Sequence, residues 1–246
     1  MIINFKIKNF LSFKELEEFT FLSDWSHAEK TILYSKYELN KANILYGANA
    51  SWKSNLFKGI LFIKNMIIWS HDQSRSPKNL WYTNFLLGDQ EEESFFEISF
   101  IVENEIYRYS FSIDPRTEKI MTESLDQYKS QKPTNLYKRI QNDLKSNVKE
   151  FEERKFLLRD NGLALSIFSN VGWEISWKIR EFFGKKVHIF WPQYGNNPRD
   201  TIDMFNKHRD RFKNFLQNML IAADINIKDI EYKTEKKDIS KEVIEK

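Results

Sequence analysis

Apolar and polar residues alternate from the start of the chain. Ile3, Phe5 and Ile7 interleave with Asn4, Lys6 and Lys8, the period of a half-buried strand. Apolar patches at residues 19–22 and 32–39 predict further strands of an antiparallel sheet, separated by a polar loop at 23–30 that holds His27. Residues 41–46 then read as a short strand leading into a small-residue loop. Beyond Lys53 the period changes to that of a helix, with Leu56, Phe57, Ile60, Leu61, Ile63, Ile67 and Ile68 at helical spacing as far as a polar surface loop at 70–78.

A hairpin follows. Phe96, Ile98, Phe100 and Val102 predict one face of its first arm, Tyr107, Tyr109, Phe111 and Ile113 one face of the second, and Glu103, Asn104 and Glu105 its turn. Residues 119–127 predict a third strand of the meander, and Gln127 and Gln90 read as surface glutamines unless position gives them a role. From 131 to 160 the charge density rises, and Leu136, Ile140, Leu144, Val148 and Phe151 have the spacing of a helical stripe, predicting a charged helical insertion. Lys138, Arg139, Lys145 and Lys149 on it are interspersed with Asp143, Glu150, Glu152 and Glu153, the composition of a solvated face.

A helix is expected over 163–183, closed by Gly184, with Trp173 and Trp177 four residues apart as core packing. Residues 187–191 read as a buried strand ended by Pro192, with His188 a hydrogen-bonded strand residue. A helix from about 201 to 220, a last strand at 225–230 and a frayed charged tail at 231–246 complete the expected order.

Strand, small-residue loop and helix in that order are the parts of a phosphate-binding loop. Gly47, Ala48, Asn49, Ala50, Ser51, Trp52, Lys53, Ser54 and Asn55 make up the candidate nucleotide-binding stretch. Backbone N–H groups of such a loop face an anion, helped by the positive end of the following helix. Lys53 would reach the terminal phosphates as a compact charge, and Ser54 would offer its hydroxyl to magnesium. Trp52 stands where the pattern has glycine, and a bulky residue forced into a left-handed conformation costs on the order of 1–3 kcal/mol.

Residues 47–56 resemble, with one departure, the Gly-Ala-Asn-Ala-Ser-Gly-Lys-Ser-Asn-Leu loop of ABC-type ATPases related to the SMC and OLD families. Residues 2–13 resemble the first strand of those proteins, and the likeness extends to AAA-type ATPases of bacterial abortive-infection systems of the AbiLii kind. The resemblance implies an α/β P-loop NTPase fold. It corresponds to the N-terminal lobe of an ABC-type ATPase head at 1–130 with an antiparallel β-meander, a helical insertion at 131–160, a helical continuation at 161–230 and a tail. ATP and Mg2+ are the implied ligands.

Hydrolysis in this class also needs an apolar strand ending in Asp-Glu and a Ser-Gly signature segment presented by a second subunit. This chain has neither, and Trp191 and Pro192 stand at the end of the one strand that could carry the acids. The expectation is a lobe that stops before the second half of its ATPase head, so a homo-oligomer or a second protein would supply that half.

Composition changes this picture little. Among 246 residues, 38 basic against 35 acidic give a net charge of +3, no strong signal for nucleic acid. Cysteine is absent, which removes disulfides and thiolate chemistry and suits a cytoplasmic protein. No run approaches the roughly 20 apolar residues that span a bilayer. His71 and Asp72 read as loop residues rather than metal ligands. Three functions stand: an ATP-binding lobe of an anti-phage or abortive-infection ATPase, with hydrolysis weakened or absent; a non-enzymatic interaction module on the same fold; and a nucleic-acid-binding module.

Overall fold

In the computed structural model the described residues are 1–24, 31–34, 37–48, 52–73, 82–89, 91–129, 132–189 and 213–214. The chain divides into two compact units, Met1–Ile189 and Phe190–Lys246, and the architecture below is that of the first.

The alternation at the N-terminus forms β1 (Ile2–Lys8), which pairs antiparallel with β2 (Glu17–Thr20) on one side. A tight turn at Asn9 and Leu11, both with positive φ, reverses the chain between them. On its other side β1 pairs with β5 (Ser94–Val102). The meander continues through β6 (Glu105–Ile113), β7 (Ile120–Tyr128), β8 (Thr134–Ile140) and β9 (Asp143–Ser146), giving a seven-stranded sheet in the order β2-β1-β5-β6-β7-β8-β9. Every pairing in it is antiparallel. Glu103 and Asn104 close the β5–β6 hairpin with φ of 48° and 69°, the positive values a two-residue type I′ turn requires.

One face of this sheet carries the main core. The long helix α1 (Lys53–Gln73) lies on it, with Phe62 against Phe10 and Phe96 at ring-centroid distances of 5.4 and 5.0 Å. Two shorter helices, α3 (Ala164–Asn170) and α4 (Glu174–Lys185), join that layer after α2 (Lys149–Arg154). Phe182 and Phe183 of α4 both pack on Phe100. A smaller cluster of Ile3, Leu39, Ile101 and Ile106 brings in the hairpin of β3 (Thr31–Tyr34) and β4 (Tyr37–Asn40). Ile3 belongs here rather than with Phe5 and Ile7, at the register shift between Ile2 and Asn4.

Gly59 sets how closely α1 approaches β1. A Cβ at this position would stand 2.7 Å from Ile7 Cδ1 and 3.1 Å from Phe5 Cζ. Gly59→Leu is expected to destabilise by about 1–3 kcal/mol in urea unfolding, because the overpacked side chain must displace both neighbours. Gly59→Ala should be near neutral, since the flexible Ile7 tip can turn away and the gain in helix propensity is about 1 kcal/mol. Equal effects of the two substitutions would contradict this close approach.

Several expectations are corrected. Residues 42–48 form no strand, and the polar run expected as a loop at 70–78 begins as helix, which continues to Gln73. Buried Ser70 holds that last turn in place by accepting a hydrogen bond from Leu163 N at 3.1 Å. The expected helical stripe at 136–151 is the hairpin β8–β9 followed by the single short α2. The helix expected over 163–183 is broken at Val171, Gly172 and Trp173, where Gly172 has φ of +86°, and Gly184 lies inside α4 rather than ending it. Residues 187–189 carry no strand. His27, Gln90, Trp191, Pro192 and the strand and tail expected at 225–246 lie outside the described residues, as does the helix expected at 201–220 apart from residues 213–214.

Candidate functional site

The connection from β4 to α1 carries the phosphate-loop sequence, and its two ends are placed by different forces. Lys53 opens α1, whose first turn contains no acidic residue, so the positive end of a 21-residue helix is not neutralised by its own side chains. Leu56 N donates to Trp52 O at 3.0 Å, which makes Trp52 the residue from which the helical ladder starts. Asn55 ties that first turn to the β1–β2 turn by donating to Ser12 Oγ at 2.9 Å.

Lys53 folds back over the loop. Its Nζ donates to the carbonyl oxygens of Gly47 and Ala48, each at 2.5 Å. An ammonium held on backbone carbonyls at the loop mouth stands where it can transfer its hydrogen bonds to an incoming phosphate. Ser54 is solvent-exposed beside it, its hydroxyl open to a ligand. Asn49, Ala50 and Ser51 lie outside the described residues. The remaining parts thus fit a phosphate group and its metal: a converging lysine, an accessible hydroxyl and a helix start with no acidic residue in its first turn.

Trp52 packs on β2. Its ring lies 5.3 Å from Phe19 of β2, tilted by 40°, so the residue at the glycine position is held against the sheet edge. Beside it opens a cleft of about 570 Å3, walled by Phe19 and Phe21, by Ile44 and Leu45, and by Phe57 and Lys53 of α1. The cleft is mainly apolar, with Lys53 and Glu18 as the charged residues of its lining, and its apolar walls suit a flat apolar group. Ile44 and Tyr46 of the lead segment are 73% and 81% exposed.

A second constellation escaped the reading of the sequence. Glu123 of β7 is fully buried, and five donors converge on it. Its Oε1 accepts from Tyr109 and Tyr137 hydroxyls at 2.8 Å each and from Leu165 N at 3.0 Å. Its Oε2 accepts from Ala164 N at 2.7 Å and from Arg139 Nη1 at 3.4 Å. Arg139, equally buried, donates onward to the carbonyls of Gln141, Gly162 and Arg159. Burial, and then the charge of Glu123, push both tyrosine hydroxyls well above their ordinary pKa, so they remain donors. Arg139 is therefore no member of a solvated or phosphate-contacting face.

Gln127 is likewise no surface residue. It is buried and donates to Glu105 and, at 3.1 Å, to the Tyr107 hydroxyl, far along the meander from the loop. His71 pairs with Asp72 at 3.2 Å and with Ser166 Oγ at 3.0 Å, and His188 with Lys185 O at 2.9 Å. Trp173 is core, packed 4.0 Å from Phe151, but Trp177 is half exposed. Among the described residues no group of three His, Asp or Glu side chains is placed to hold a metal ion, and no helix is long and apolar enough to cross a membrane.

A family model described as "AAA domain, putative AbiEii toxin, Type IV TA system" matches residues 42–171, more than half of the chain, and begins at the lead into the loop. No curated protein matches the chain.

Proposed function

The chain belongs to this AAA-domain family, and on that premise we propose that it is the ATP-binding lobe of an ABC/SMC-like ATPase acting in bacterial abortive infection or phage defence. The observation that carries the reading is the Lys53 ammonium held on the Gly47 and Ala48 carbonyls at the start of a helix whose first turn has no acidic residue. Lys53 exchanges those carbonyls for the terminal phosphate oxygens of ATP. Gly47, Ala48, Trp52 and Asn55 would offer backbone N–H groups to the remaining phosphate oxygens, and Ser54 Oγ would offer a ligand to the magnesium ion. Magnesium would supply charge that neutralises the phosphates. The apolar cleft between Phe19, Phe21 and Phe57 receives the nucleoside end.

Turnover requires groups that the described residues of this chain do not bring to the loop. A carboxylate to orient water and donors to meet the leaving phosphate come from a second copy or from a separate protein. The exposed Ile44 and Tyr46, an apolar lead without strand partners, are where that polypeptide pairs.

Isothermal titration of Mg-ATP and, separately, of adenosine tests the assignment. Mg-ATP is expected to bind weakly, at about 0.1–1 mM, and adenosine far less, because most of the affinity comes from the phosphates. Equal heats for the two, or none for either, would refute the nucleotide reading and leave the interaction module.

A further inference from the structure

One basic stretch of this protein lies away from the loop, past the acidic run Glu150, Glu152 and Glu153. Residues 154–189 carry seven Lys or Arg against Asp160, Glu174 and Glu181, an excess of four in a chain whose whole net charge is +3. Each of the three acids is already engaged: Asp160 with Lys119 at 2.8 Å, Glu174 with Lys178 at 2.7 Å, and Glu181 with Lys185. Two arginines converge on the turn between α3 and α4. Arg154 donates to Val171 O at 3.2 Å, and Arg180 donates to Asn170 Oδ1 at 2.5 Å. Both partners are uncharged oxygens on adjacent residues, and among the described residues neither guanidinium forms an ion pair.

Trp177 lies one helical turn before Arg180 on α4 and is 49% exposed. Open space adjoins Gly172 in the turn itself, where a Cβ would meet nothing within 4 Å. An exposed indole beside two guanidiniums held on uncharged oxygens matches the chemistry that holds a single nucleic-acid strand, in which a base stacks on the ring and phosphates meet the cations. A duplex would keep its bases from Trp177, and an acidic peptide would leave the ring without a stacking partner.

We propose that Arg154, Arg180 and Trp177 form a binding surface for single-stranded nucleic acid, separate from the phosphate loop. Fluorescence anisotropy with a labelled oligo-dT of about 15–20 nucleotides, a length within the usual site sizes, tests it on the full chain. Binding is expected to weaken with salt, and Arg154→Ala and Arg180→Ala should each lower the slope of log K against log salt by about 1. Trp177→Ala should weaken binding about fivefold or more, and Trp177→Phe, which keeps a stacking face, should recover most of it. Circular dichroism melting of each variant separates loss of contact from loss of fold. Three results would each overturn the proposal: no binding at low salt, binding unchanged in folded variants, or a duplex of equal length binding as tightly with no effect of Trp177→Ala. Displacement of the oligonucleotide by polyglutamate at equal charge would also overturn it, in favour of an acidic protein partner.

Discussion

Glu123→Ala is expected to destabilise this protein by about 3–5 kcal/mol, the cost of leaving one member of a buried ion pair without the other. Few domains of this size hold more than about 15 kcal/mol in total, so the loss is a large fraction of what keeps the fold. At about 2–4 °C per kcal/mol it corresponds to a fall in melting temperature of about 6–20 °C. The carboxylate joins four parts of the chain that are distant in sequence: Tyr109 on β6, its own strand β7, Tyr137 and Arg139 on β8, and the first N–H groups of α3. Removing it takes the acceptor from two tyrosine hydroxyls and two backbone N–H groups at once, and leaves the buried Arg139 without its counter-charge. The pairwise part can be isolated. Arg139→Met alone should also destabilise, whereas Glu123→Leu combined with Arg139→Met should cost less than the two single losses added together. Additive losses in urea unfolding would show that Glu123 and Arg139 act independently and that the convergence carries no coupling.

The same pair explains where the sequence misleads. On β8 the inward face is made by Tyr137 and Arg139, and on β7 by Glu123, Leu125 and Gln127. Charged and amide side chains thus occupy buried positions, and the alternation that identifies a strand is written partly in polar residues. The spacing of Leu136, Ile140 and Leu144 by four is also even, so it suits one side of a strand as well as one side of a helix. In the fold Leu136 and Leu144 are buried while Ile140 is exposed beside the turn at Gln141 and Asn142. Where burial falls on apolar residues, the sequence is transparent: β1, the β5–β6 hairpin and α1 all lie close to their expected positions. The site divides along the same line. Lys53 and Ser54 at the head of a helix follow from pattern, but the exposed state of Ile44 and Tyr46 does not, because an apolar run without its partner strands looks identical to one that has them.

Opposite shifts in ATP affinity are expected from the two neighbouring residues of the loop. Lys53→Ala should weaken binding about ten- to a hundredfold, since it removes a charge-assisted contact of about 1.5–3 kcal/mol at the phosphates. Trp52→Gly should strengthen it by up to about tenfold, by restoring the small residue the motif calls for and letting a phosphate approach the backbone N–H groups closely. The gain comes with a loss elsewhere. Trp52 packs on Phe19, and an aromatic pair contributes about 0.5–1.5 kcal/mol beyond its buried area, so Trp52→Gly should be less stable in the absence of nucleotide. Saturating Mg-ATP should then raise its melting temperature more than that of the native sequence, because stabilisation by a ligand grows with the ratio of its concentration to Kd. Isothermal titration and thermal melting of the two variants measure both effects on the same samples. If Trp52→Gly loses stability and gains no affinity, the tryptophan is a packing residue of the β2 edge and places no constraint on the loop. A gain that disappears in Trp52→Gly/Lys53→Ala places the strengthened binding at the phosphates, where the lysine acts.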